Sequence, residues 1–245
     1  MSEWKGTSKN TEAVLFDLGN TLVAYYKSTE FMPVLHRCIA SVVDAVNRHH
    51  GDDGRSLNVP QLFERAKAFN QERPDGRVWP LKERLAEIFA AEGGELTDAL
   101  LDQMTERFLA PILATAKLNP DAIPVLSKIR ELGLQSAIVS NTPWGSPAAN
   151  WRAELARWRL LELVDTAVFC VDVGWRKPAP QVFQHALSSL GVSPDRALFV
   201  GDDVRWDIEG ARRAGLTPIL LGEAPAPADY RTIRRLSDLV PLLER

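Results

Sequence analysis

The first sharply patterned stretch of the chain is AVLF, residues 13–16, an apolar run that meets Asp17 and then, after Leu18, the turn residues Gly19 and Asn20. A short apolar run bounded in this way predicts a buried strand over 13–18. From about Thr29 to Lys117 the rhythm is helical. In FMPVLHRCIASVVDAVNRHH (31–50), Val34, Leu35, Ile39, Val42, Val43 and Val46 fall on one face. GDDGRSLNVP (51–60) interrupts the pattern. QLFERAKAFN (61–70) and PLKERLAEIFAAEGG (80–94) are two further amphipathic helices, the second opening near Pro80 and stopping at Gly93 and Gly94. LTDALLDQMTERFLAPILATAKL (96–118) follows, with Thr97 as the expected N-cap. No strand pattern stands out in this block.

Beyond Asn119 helices and strands alternate. PDAIPVLSKIRELG (120–133) reads as a helix ending at Gly133, and LQSAIVS (134–140) as a strand ending on Ser140. WRAELARWRLLELV (151–164) is a helix and TAVFCV (166–171) a strand. PAPQVFQHALSSLG (178–191) is a helix opened by proline and closed by glycine. ALFVGDD (197–203), VRWDIEGARRAG (204–215) and TPILLG (217–222) read as strand, helix, strand, and IRRLSDLVPLLER (233–245) closes the chain. GEAPAPAD (222–229) is expected to be a surface loop. This alternation predicts a parallel sheet covered on both faces. The expected architecture is α/β: a doubly wound parallel-sheet core from 1–25 and 116–245, with an α-helical domain over 26–115 inserted after the first strand.

Composition narrows the function. The 245 residues suffice for one α/β domain with an insertion, or for two modest domains. Lys and Arg total 29 against 32 Asp and Glu, a formal net charge of -3. With no basic cluster, a nucleic-acid-binding surface is not expected. The two cysteines, Cys38 and Cys170, lie in separate apolar stretches and read as buried free thiols rather than a metal or disulfide framework. MSEWKGTSKN at the start lacks the apolar core of a signal peptide, and no run is long enough to span a bilayer. The expectation is a cytoplasmic protein without membrane partners, monomeric or homodimeric.

The candidate chemistry lies at the ends of the expected strands, where open parallel sheets bind ligands. The first ends at Asp17, with Thr21 in the turn; the second at Ser140, Asn141 and Thr142. A loop past the third carries Arg176 and Lys177 before Pro178. The fourth ends at Gly201, Asp202 and Asp203, with Asp207 beyond. Carboxylates brought to one rim repel unless a cation lies among them, and a hard cation with oxygen ligands, most simply Mg²⁺, meets that need. A lysine, a hydroxyl and free backbone N–H groups then suit a phosphate. Each piece alone has a plain structural explanation as a turn, cap or solvated residue. Their order, each at a strand end, is what carries the reading.

That order resembles the haloacid dehalogenase superfamily. FDLGNTL is similar to its first motif, IVSNT to its second, GWRKPAPQVF to its third and LFVGDDVRWDIEGARRAG to its fourth. The resemblance implies a Mg²⁺-dependent phosphatase for a small phosphorylated metabolite, with the helical insertion as a substrate-selecting cap. Asp17 would attack phosphorus to give an aspartyl-phosphate, and Ser140 and Lys177 would stabilise the phosphoryl charge. Asn141, Thr21 and Gly19 would complete the phosphate-binding rim. Mg²⁺ would be held by Asp17, the Gly19 carbonyl and Asp202, with Asp203 or Asp207 holding its waters or orienting Lys177. Trp144, Trp175 and Trp206 lie close to these motifs, as substrate-mouth or packing residues. Gly19 departs from the family's commonest phosphatase pattern, which has a second Asp there as general acid/base. The alternatives are a 2-haloacid dehalogenase using the same nucleophile, or a catalytically weak binding or regulatory member.

Overall fold

The computed structural model describes residues 10–50, 57–93, 95–223 and 229–244. The polar start of the chain, the break at 51–56, the stop at Gly94 and most of the loop expected at 222–229 lie outside these residues. The chain divides into two compact units, Met1–Ala24 with Lys117–Thr142 and Ala148–Arg245, and Tyr25–Ala116 with Pro143–Pro147.

In the first unit the strands are β1 (Ala13–Phe16), β2 (Val23–Ala24), β3 (Lys117–Leu118), β4 (Gln135–Ser140), β5 (Thr166–Phe169), β6 (Ala197–Gly201), β7 (Thr217–Leu221) and β8 (Arg231–Ile233). Among the described residues, six of them form a sheet in the order β5-β4-β1-β6-β7-β8. Every neighbouring pair in it is parallel. β2 and β3 form a small antiparallel ribbon. Every residue of β1 is buried, as a strand covered on both faces requires. Ala13 and Leu15 of β1, Ala137 and Val139 of β4 and Phe199 of β6 pack into one cluster with Val182 and Phe183 of α8 (Pro180–Leu190) and Ala211 of α9 (Glu209–Arg213). The alternate positions Val14, Phe16, Ile138 and Val200 point to the other face and are equally buried. There α5 (Ala122–Glu131) lies against β4 and against α10 (Val240–Leu243). The fold is therefore the expected α/β core with a parallel sheet flanked by helices.

Several elements differ from the sequence reading for identifiable reasons. The helix expected at 151–164 is α6 (Ala148–Arg157), broken where Arg159 adopts the left-handed conformation (φ 59°) before a 3₁₀ turn at Leu160–Glu162. The strand expected at 166–171 stops at Phe169, because the Asp172 carboxylate takes the Phe169 N–H (2.9 Å) and starts the short helix α7 (Cys170–Val173). The helix expected from Val204 begins as a π turn, Val204–Ile208, before α9. β8 was not expected at all. Its three residues are too few for an alternating pattern, and the ladder to β7 is what defines it.

The second unit contains α1 (Phe31–His50), α2 (Val59–Ala68), α3 (Leu81–Phe89) and α4 (Asp98–Leu113). α1 packs along α4 and α2, and α3 packs on α4. The six predicted face residues of α1 are all buried. Thr97 caps α4 by accepting from the Leu100 N–H at 3.2 Å. Arg84, fully buried, donates to the Trp79 and Phe69 carbonyls and to Glu72. Its guanidinium lies over the rings of Trp79 (4.9 Å) and Trp144 (5.4 Å). Trp144, with φ 53°, donates its indole N–H to Asn70 at 3.0 Å. Gly145 has φ 66°, and a Cβ there would lie 2.4 Å from the Trp79 carbonyl oxygen. Segment 143–147 is thus fastened to this unit by a close approach that only glycine permits.

Candidate active site

The chain leaves β1 for β4 on one side and returns past it to β6 on the other, so the carboxyl ends of β1 and β6 flank a topological switch point. Phe16 is level with Val200, and the Asp17 N–H continues the ladder to the Val200 carbonyl at 2.9 Å. This register sets Asp17 beside Gly201 and the acids that follow. Carboxylate oxygens of Asp17, Asp202 and Asp207 lie within 4.8 Å of one another. The Lys177 ammonium, itself buried, bridges Asp17 and Asp207, the latter at 2.6 Å. It also sits 5.4 Å from the Phe199 ring centroid.

Of the two acids expected to orient Lys177, Asp207 is the one that touches it. Both Asp207 oxygens are engaged, Oδ1 by Lys177 and Oδ2 by the Asp203 N–H at 3.1 Å. Asp203 instead caps the π turn, accepting from the Trp206 N–H at 2.8 Å. The turn itself is widened by two N–H groups, those of Asp207 and Ile208, which both reach the Asp203 carbonyl. Gly201 makes room for this arrangement. A Cβ there would lie 2.3 Å from Asp207 Oδ2, so Gly201→Ala overpacks a filled slot. The expected cost is about 1–3 kcal/mol of stability, read as a lower urea midpoint. An unchanged midpoint would mean that Asp207 is free to leave the slot.

Ser140 is buried at the end of β4 and its hydroxyl is 3.2 Å from the Asn141 carbonyl. Asn141 does not end in open space. Its amide pairs with the main chain of Lys177. The Thr21 hydroxyl is fully buried and has no partner among the described residues. The Thr21 carbonyl accepts from the Asn119 amide at 2.9 Å, which ties the turn after β1 to the start of α5. Within that turn Asn20 takes φ 57° and its N–H donates to the Val23 carbonyl at 2.7 Å. Gly19 has room for more than hydrogen: a Cβ would meet only Asp17 Oδ2, at 3.9 Å.

Burial pushes the Asp202 carboxyl up to about 8, and the Asp17 and Asp207 charges add to the effect while Lys177 opposes it. Burial likewise raises Asp207, against the pull of Lys177. For Lys177 burial acts downward, but the Asp17 and Asp207 carboxylates overcome it and hold the ammonium above its ordinary value. Between about 4, its unfolded value, and about 8, the folded protein retains an Asp202 proton that the unfolded chain has released. Stability therefore falls as pH rises across that window. In EDTA, urea midpoints are expected to fall more steeply with pH for the wild type than for Asp202→Asn. Parallel slopes would remove Asp202 as the source.

The chain matches the haloacid dehalogenase-like hydrolase family over residues 11–215. It belongs to that family. It is 35% identical over 106 residues to a glyceraldehyde 3-phosphate phosphatase of Methanopyrus kandleri, covering 43% of this chain and 44% of that protein. It is 30% identical over 132 residues to (S)-2-haloacid dehalogenase 4A of Burkholderia cepacia, covering 51% and 55%. These alignments span about half the length of the relatives. A 2-haloacid dehalogenase structure from Pseudomonas syringae pv. Tomato DC3000 shares the fold, with TM-score 0.69 and 23% identity over 96% of this chain and 99% of that one. Among the described residues no helix is long and apolar enough to cross a membrane.

Proposed function

We propose that this hydrolase is a Mg²⁺-dependent phosphatase of small phosphomonoesters, working through an aspartyl-phosphate on Asp17. The observation that carries the reading is the convergence of Asp17, Asp202 and Asp207 within 4.8 Å around the buried Lys177. The donor set fits a hard cation. Lys177 occupies one oxygen of Asp17 and both oxygens of Asp207 are engaged, so the second oxygen of Asp17 and the carboxylate of Asp202 are the groups for the ion. The Gly19 carbonyl is the third donor we assign. The upward drive on Asp202 is what such a cation relieves. When bound, Mg²⁺ neutralises charge on the phosphoryl group and the carboxylates.

The protein's own groups do the rest. Asp17 attacks phosphorus, and the P–O bond to the leaving group breaks with its electron pair on the departing oxygen. Lys177 holds Asp17 in line and balances phosphoryl charge, and the Ser140 hydroxyl donates to a phosphoryl oxygen. Water then attacks phosphorus and frees the Asp17 carboxylate. The helical unit, inserted between β2 and β3, is the part we assign to substrate selection as a cap. Phosphatases among the relatives support the reading. A dehalogenase would admit a carboxylate substrate beside Asp17, Asp202 and Asp207, and their mutual repulsion disfavours it.

The direct test is release of p-nitrophenol from p-nitrophenyl phosphate with Mg²⁺ and with EDTA. Activity that survives EDTA, or none in either, removes the assignment. Asp202→Ala is expected to raise the Mg²⁺ concentration for half-maximal activity about tenfold or more, equivalent to about 1.4 kcal/mol. An unchanged titration would transfer the ligand role to another acid.

A further inference from the structure

Asn141 Oδ1 accepts from the Lys177 N–H at 2.8 Å, and Asn141 Nδ2 donates to the Lys177 carbonyl at 3.2 Å. One side chain thus grips both polar groups of one residue's main chain. We propose that Asn141 is the positioning residue for Lys177, and that its side chain is not a ligand of the phosphate. This inference rests on the phosphatase reading for its kinetic consequences, but the contact itself does not depend on it.

The grip is braced from both sides. The residue after Asn141, Thr142, donates its N–H to Cys170 Sγ at 3.2 Å. The residue before Lys177, Arg176, donates Nη1 to the Thr142 carbonyl at 3.0 Å. The register of the sheet explains why these groups meet. Ser140 is level with Phe169, so the chain leaving β4 and the chain leaving β5 run side by side from the same height. Cys170, buried at the start of α7, is where they join.

Such a device answers a physical need. Lysine has a flexible four-carbon stem with many accessible rotamers. Its ammonium must reach Asp17 and Asp207 in a buried space, where a missed contact leaves uncompensated charge. Fixing the main chain by two hydrogen bonds sets the origin of the stem. A displacement of about 1 Å at a catalytic group can lower the rate about 10²-fold.

Asn141→Ala removes both hydrogen bonds and Asn141→Asp removes the donor. Two readouts test the inference. The first is acetic anhydride labelling followed by mass spectrometry, with the partly exposed Lys128 as internal standard. Lys177 should resist labelling in the wild type and react at least tenfold faster in both variants, with Lys128 unchanged. The second is steady-state kinetics on p-nitrophenyl phosphate with Mg²⁺. Here kcat should fall about 10–100-fold with KM changed less than threefold. Unchanged Lys177 labelling, or a raised KM at constant kcat, overturns the proposal, the latter showing that Asn141 binds the phosphate. Should alanine prevent folding, Asn141→Ser keeps a small polar group in the slot and is read the same way. A wild type that cleaves no phosphate ends the phosphatase reading, while the labelling result still decides the role of Asn141.

Discussion

Asp17→Asn is expected to abolish Mg²⁺-dependent phosphate release while leaving the protein at least as stable as the wild type. Asparagine is nearly isosteric with aspartate, but its neutral amide is a far weaker nucleophile and a poor ligand for a hard cation. Activity should fall by at least about 10³-fold, a rise of about 4 kcal/mol in the barrier. The stability half of the expectation comes from charge. Asp17 crowds Asp202 and Asp207 within 4.8 Å, and its charge is among the causes that drive both carboxyls upward. Removing it relieves repulsion, and Lys177 keeps its ion pair with Asp207. An inactive variant with a lowered melting temperature would point to a damaged fold instead. A variant with near-normal turnover would remove Asp17 as the nucleophile.

The central strands of the sheet were legible in the sequence because they are buried on both faces. AVLF and ALFVG are short continuous apolar runs bounded by polar turn residues, as fully buried strands are. The acids and Lys177 could be placed on one rim because parallel strands all present their carboxyl ends to the same side. What could not be read was how neighbouring strand ends register. That Ser140 is level with Phe169 decides that Cys170 meets Thr142, and no local pattern encodes it. Cys170, read as a buried free thiol within a strand, is buried and free but opens a short helix, where its sulfur accepts from the Thr142 N–H. Asn141 looked like a rim residue for phosphate, and its side chain is engaged with Lys177. The spacing of Asp203 and Asp207 left open which one serves Lys177. The π turn places Asp207 against the ammonium and leaves Asp203 as its cap. Gly201 carried one signal in hindsight, a glycine ending a strand just before two acids, and its role appears only when Asp207 fills the space of its missing Cβ.

Gly19 leads to the second large effect. A site without a carboxylate at this position cannot protonate an alkoxide leaving group from there, nor deprotonate the water that attacks the aspartyl-phosphate. Proton transfer by a positioned side chain typically contributes about 10²–10⁴-fold. Aryl phosphates escape the first penalty, because p-nitrophenolate departs without a proton. They do not escape the second. With p-nitrophenyl phosphate the phosphorylation of Asp17 should be fast and its hydrolysis slow. Rapid mixing is therefore expected to show a burst of p-nitrophenol roughly stoichiometric with enzyme, and acid quenching should trap phosphate on Asp17. The structure allows the reverse experiment. A Cβ on Gly19 meets only Asp17 Oδ2, at an ordinary van der Waals distance of 3.9 Å, and the backbone there needs no left-handed conformation. Gly19→Asp can therefore be introduced beside Asp17 without backbone strain or a Cβ clash. It should shrink the burst and raise turnover of alkyl phosphates by about 10²-fold, the lower end of the range for a positioned acid/base. Aryl phosphates should gain less, since only their second step improves. A wild type with no burst and equal turnover of alkyl and aryl phosphates would sink the idea, because the proton would then be moving through another group already in place.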